Sequence, residues 1–155
     1  MNAKDEPPRT PPGEGAGTGT DDEWDYSLQI PHDLRGAGIA RCTLRAVLNA
    51  YGLAPMIEVA QLVAAELVAN ALEHSSGPVS LRLHWRESNL RLGVWDTSPE
   101  KPEFLTVTDE AEHGRGMWLV TGLAAAWGCH LLGEEPFGLA GKLVWADIAA
   151  ESAAA

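Results

Sequence analysis

Between Glu23 and Pro31 the chain alternates, with Trp24, Tyr26, Leu28 and Ile30 on one phase, and the pattern predicts a first strand stopped by proline. From Asp33 to Gly52 the period changes. Leu34, Ile39, Leu44, Val47, Leu48 and Tyr51 recur at helical intervals, and Gly52 stands where a helix would end. Pro55 opens a second helical stretch that runs to Gly77. Ile57, Val59, Leu62, Val63, Leu67, Val68 and Leu72 make it apolar almost all round, so it should be buried on most of its surface. Val79–Glu87 and Leu90–Asp96 alternate again, and Ser88-Asn89 between them reads as a hairpin turn. A loop from Thr97 to His113 follows, then a glycine-led third helix over Gly114–Gly128. Two final strands, Cys129–Pro136 and Gly141–Ala149, are joined by a loop over Pro136–Gly141. The order β-α-α-β-β-α-β-β predicts an α+β fold, a two-layer sandwich whose mostly antiparallel mixed sheet carries about three helices on one face.

Met1 to Asp22 is rich in Pro and Gly, has no large apolar residue after Met1, and reads as a disordered tail. One domain over 23–150 is then expected, with a second disordered end over 151–155. The 45% hydrophobic content suits a globular core. A net charge of −11 repels nucleic acid, so no direct nucleic-acid binding is expected. An anion such as a nucleotide is still admissible where backbone amides, a metal ion or a few placed basic residues receive it. Arg35, Arg41 and Arg45 form the one basic strip, either a solvated helix face or a docking surface. Cys42 and Cys129 lie too far apart for a zinc motif or a disulfide framework and suit a reducing compartment. The start lacks an apolar signal core and no run looks long enough to span a membrane, so a cytoplasmic location is expected.

Four places carry candidate chemistry. Glu66 and Asn70 sit one turn apart in the apolar second helix, with Glu73 and His74 following on the same side. An amide oxygen can ligate Mg²⁺ and a carboxylate can take a proton from a nucleophile; equally, such a stripe can simply reach the helix edge and be solvated. Asp96 ends an alternating strand, where it can accept a hydrogen bond from an exocyclic amine or form a turn. Gly114-Arg115-Gly116-Met117 opens a helix, where backbone amides and an arginine can meet phosphate. Lys142, after Gly141, fits a phosphate contact or a solvated strand end.

Singly these are weak; their order is specific. Glu-x-x-x-Asn on a helix, a hairpin ending in Asp-x-Ser, and a loop into Gly-x-Gly and a helix resemble the GHKL ATPases, the Bergerat fold. "ELVANALEHS", "VWDTSPEKP", "HGRGMWLVTGLAAAWG" and "GKLVWADI" look like the anti-sigma-factor serine/threonine kinase-like ATP-binding proteins of actinobacteria, over about Trp24 to Ala150. The resemblance implies ATP and Mg²⁺ as ligands. It assigns Glu66 as general base, Asn70 as Mg²⁺ ligand and Asp96 as the adenine-reading carboxylate with Ser98 beside it. Gly114 and Gly116 would offer amides to the phosphates, with Arg115 and Met117 between and after them. Thr97–His113 would be the ATP lid, with an acidic end at Asp109, Glu110 and Glu112. Lys142 stands near the place where many relatives have Gly-Thr.

The resemblance implies a kinase for a serine or threonine on an anti-sigma-factor antagonist, which also sequesters a sigma factor; relatives often form homodimers. The alternative is a non-catalytic module that holds ATP and regulates transcription by gripping a partner. A third reading, an acidic interaction domain without nucleotide, leaves the ordered motifs unexplained.

Overall fold

The computed structural model describes residues 22–98, 115–132 and 141–150. The expectations for the N-terminal tail, the lid beyond Ser98, Gly114, the loop before Gly141 and the end after Ala150 lie outside the described residues. In chain order the elements are β1 (Trp24–Ile30), α1 (Gly36–Ala50), α2 (Ile57–His74), β2 (Val79–Arg86), β3 (Asn89–Asp96), α3 (Arg115–Leu123), β4 (Ala126–Leu132) and β5 (Gly141–Ala149). A 3₁₀ turn over Ala54–Met56, with Pro55 in it, leads into α2.

The strands form one sheet in the order β1-β2-β3-β5-β4, and all four described pairings are antiparallel. Alternation gives the sheet its core face, because side chains two apart point the same way. Leu81, Leu83 and Trp85 of β2 stand opposite Val94, Leu92 and Leu90 of β3, which stand opposite Val144, Ala146 and Ile148 of β5. All nine are buried. The helices pack on this face, α2 over β2, β3 and β5 with α1 on one side of it and α3 on the other. The expected α+β sandwich is therefore the observed architecture.

Helix α1 buries the row Gly36, Ala40, Leu44 and Leu48, a strict four-residue spacing. Leu34 precedes the helix and is 89% exposed, and Ile39 is also exposed, so neither belongs to the core stripe the spacing suggested. The packing face is this i, i+4 row, in which the small Gly36 and Ala40 join Leu44 and Leu48 of the expected stripe. At its far end Trp24 stacks on Tyr51 with ring centroids 4.7 Å apart, and the Tyr26 and Tyr51 hydroxyls meet at 2.6 Å.

Two boundaries and one expectation about apolar length differ from the sequence reading. The hairpin turn is Glu87-Ser88, one residue before the expected Ser88-Asn89, because Asn89 already pairs with Arg86 in the ladder. Helix α3 stops at Leu123, and Ala126-Trp127-Gly128 belongs to β4. There the Ala125 amide donates to the Asp147 carbonyl at 2.8 Å, so the edge of β5 captures the chain and overrides local helix preference. Finally, Ala54–His74 is long and apolar enough by length and composition to cross a membrane. In the fold its Val63, Leu67, Val68 and Leu72 are buried in the core.

Candidate functional site

Helix α2 buries Ala60, Val63, Ala64, Leu67, Val68, Ala71 and Leu72, while Glu58, Leu62, Ala69, Glu73 and His74 are exposed. At about 100° per residue, Glu66 and Asn70 fall with Val59 on one border between these arcs, and all three are half-buried. The opposite border carries Gln61, whose Nε2 donates to the Arg41 carbonyl of α1 at 3.0 Å. The Glu66–Asn70 edge therefore points away from α1. Among the described residues neither side chain makes a hydrogen bond or an ion pair. By the same rule Glu73 falls beside Glu66 and His74 beside Asn70, in the last turn of the helix, where both are exposed.

Asp96 ends β3 on the core phase of the sheet, in step with Leu92 and Val94, and is fully buried. A buried carboxylate without partners would cost several kcal/mol. Two groups answer it. The Ser98 backbone N–H donates to Oδ1 at 2.8 Å, closing a tight turn as the chain leaves the sheet. The second is Lys142. Its Nζ lies 3.1 Å from Oδ1 and 2.9 Å from Oδ2, and only the Oδ1 contact has hydrogen-bond geometry. Oδ2 thus keeps a Coulomb contact but no hydrogen bond.

Lys142 is not a solvated strand end: it is 0% exposed, and its ammonium meets the Asp96 carboxylate. The register explains why: β3 and β5 pair Asp96 directly with Lys142. Gly141 permits the approach, because a Cβ there would lie 2.3 Å from the Asp96 carbonyl oxygen. One sequence signal did exist. Lys142 is in phase with Val144, Ala146 and Ile148, the buried set of β5.

Of the Gly114–Met117 motif, Arg115 begins α3 and Gly116 and Met117 lie in its first turn; Gly114 is outside the described residues. The structure thus gathers Asp96, Ser98 and Lys142 at one point, and Glu66 with Asn70 on the helix above the same sheet. A further cluster, on the outer face of the sheet, escaped the sequence reading. Arg91 makes two bonds to Asp147, at 2.7 and 2.9 Å, and its guanidinium lies 4.2 Å from the Trp145 ring centroid. Those bonds hold the Asp147 carboxyl below the usual carboxylate range, against the opposing effect of burial. Trp145 lies flat where Gly128 leaves room, since a Cβ there would stand 2.7 Å from the ring.

A buried acceptor oxygen without a hydrogen bond, at the end of a strand under a helix whose carboxylate and amide have no partner among the described residues, is a layout suited to nucleotide, and the fold is an α+β sandwich. Residues 30–133 match the histidine kinase-like ATPase domain, and the chain belongs to that family of ATP-binding domains. No curated protein matches the chain closely enough to count as a relative. Asp96 Oδ2 fits an exocyclic amine. Among the described residues no group of three or more His, Cys, Asp or Glu is placed to hold a metal. Mg²⁺ does not need one when phosphates and water complete its shell, and one amide oxygen at Asn70 is then a sufficient protein ligand.

Proposed function

We propose that this chain is an ATP- and Mg²⁺-binding regulatory protein that phosphorylates a serine or threonine of a protein partner of the anti-sigma-factor-antagonist type, and that it sequesters a sigma factor. The observation that carries the catalytic part is the Glu66–Asn70 edge, a carboxylate and an amide one turn apart, half-buried and without partners among the described residues. Half-buried at the rim of an apolar helix, the two groups are placed to meet a ligand together. In this reading Asp96 would take the base amine, the backbone amides of the Gly114–Met117 motif would meet the phosphates, and Asn70 would offer its amide oxygen to Mg²⁺. When bound, Mg²⁺ supplies charge neutralisation across the phosphates. Glu66 accepts the proton of the attacking hydroxyl at its carboxylate, and the rest of catalysis is positioning and preorganised charge.

Titration calorimetry of Mg·ATP into wild type and Asn70→Ala tests the site. Wild type should bind, and the variant should lose the Mg²⁺-dependent part of the affinity. Glu66→Ala should keep ATP binding while turnover falls by about 10²–10⁴-fold, the usual worth of a general base. Binding by wild type with the same turnover before and after Glu66→Ala would reduce the protein to a non-catalytic ATP-holding module. No binding at all would remove the nucleotide reading.

A further inference from the structure

Helix α1 is a basic island in an acidic protein. Its 15 residues carry Arg41 and Arg45 and no carboxylate, in a chain of net charge −11. Arg35, just before it, is already neutralised by Asp33, whose carboxylate it meets at 2.6 Å. Arg41 and Arg45 are not. Both are exposed, and among the described residues no carboxylate pairs with either guanidinium. Four apart on one helix they repel each other, and an anion set against them would relieve that.

A contiguous surface surrounds them. A cavity of about 280 Å³ opens between the end of β1 and the start of α1, walled mainly by Leu28, Ile30, Pro31, Gly36 and Ile39. Arg35 and Ile39 also border an open groove along α1 that takes in Arg41, Arg45 and, from α2, Gln61. Ile39 is 56% exposed, so apolar surface and free cations stand side by side. Between them the outward side chains are small, Gly38, Cys42 and Ala46 sharing one arc at about 100° per residue. A second helix can therefore lie close along α1.

We propose that this surface docks an acidic amphipathic helix of a protein partner. One large apolar side chain fills the cavity, and carboxylates one and two turns further on meet Arg41 and Arg45. The spacing follows from α1 itself. Arg41 and Arg45 stand about 7.5 and 13.5 Å along the axis from Gly36 in the cavity wall, and residues i+4 and i+8 of a partner helix reach about 6 and 12 Å. Other occupants fit less well. A second copy across a two-fold axis would set this basic helix against itself. A nucleic acid would find two free cations on a protein whose net charge repels it. A partner helix answers to the charges it touches, because at physiological salt the rest are screened beyond about 8 Å. The surface lies apart from the candidate nucleotide site, since the Glu66–Asn70 edge points away from α1, and the inference stands whether or not nucleotide binds.

The test is fluorescence anisotropy with labelled helical peptides of about 16 residues, long enough to hold a helix in water. All share one phenylalanine anchor and carry glutamate, glutamine or lysine at i+4 and i+8 from it. Wild type is expected to bind the glutamate peptide about tenfold more tightly than the glutamine peptide, and the lysine peptide more weakly still. The preference should shrink at high salt. Arg41→Gln with Arg45→Gln should bring the glutamate and glutamine peptides level, and Ile39→Asp should weaken both. All three positions are exposed, so the variants should fold, which circular dichroism checks. Equal binding of the glutamate and glutamine peptides by wild type overturns the proposal, as does a preference that survives loss of both arginines. Failure of wild type to bind any of the peptides overturns it too. Self-association of wild type that Ile39→Asp abolishes would give the face to a second copy. Tighter binding of a DNA duplex than of the glutamate peptide would give it to nucleic acid. Either result overturns the proposed occupant.

Discussion

At the scale of single residues, charge is used sparingly and always locally. Asp33 is drawn down to about 2 by Arg35, Asp25 is lowered by Arg82, and Asp147 is lowered by Arg91. Each carboxyl therefore contributes stability above the ordinary carboxyl pKa of 3.8, and the contribution is lost as pH falls through the lower folded-state value. Asp147 is the best case to isolate, being only 14% exposed, though Arg91 beside it is 51% exposed and solvent weakens the pair. Asp147→Asn should destabilise by roughly 0.5–1 kcal/mol near neutral pH. The gap between wild type and variant in urea midpoint should close below about pH 4. A gap that persists unchanged in acid would show that the residue acts through packing against Trp145 and not through charge. The buried pair at Asp96 and Lys142 belongs to another class. Removing one partner strands the other, which is costly wherever ion pairs are sealed from water.

Among the elements, the β2–β3 hairpin holds the clearest local conflict. Glu87 and Ser88 both have positive φ, 50° and 60°, where side chains other than glycine or asparagine are strained. Two-residue turns of this kind favour Asn-Gly. Glu87→Asn with Ser88→Gly should raise stability by about 1–2 kcal/mol, read as a higher midpoint in urea and a melting temperature up by a few degrees. An unchanged midpoint would mean that these φ values cost nothing here. The same elements show what sequence could tell. β2, β3 and the phase of β5 were legible because alternation is a local property, and so was the placing of Glu66 and Asn70 on one face of α2. Leu34 and Ile39 were misjudged because which arc of α1 is buried depends on the helix beside it. Ala126–Gly128 read as helix because the edge of β5 that captures it lies beyond an intervening loop. The role of Lys142 was hidden for the same reason: its partner is 46 residues away, across α3 and β4.

In the whole molecule the candidate site is not housed in any one element. Asp96 comes from β3, Lys142 from β5, and Glu66 and Asn70 from α2, so a ligand joining them stabilises the folded state as a unit. Mg·ATP at about a hundred times its dissociation constant should add about 2.7 kcal/mol and raise the melting temperature by roughly 5–10 °C, an upward shift that Asp96→Ala should forfeit. A melting temperature indifferent to nucleotide would disconnect these residues from any common ligand. The sheet order β1-β2-β3-β5-β4 has one more consequence. The strand that fills the gap between β3 and β4 is the final one along the described chain. During synthesis β3 and β4 wait with bare edges, and Asp96 waits without its lysine, until Gly141–Ala149 emerges and slots between them. Non-local pairing of this sort is slow and leaves strand edges open to wrong partners meanwhile. The nascent protein thus gains its buried Asp96–Lys142 pair in a single late step, when nearly all of its described sheet has already been made.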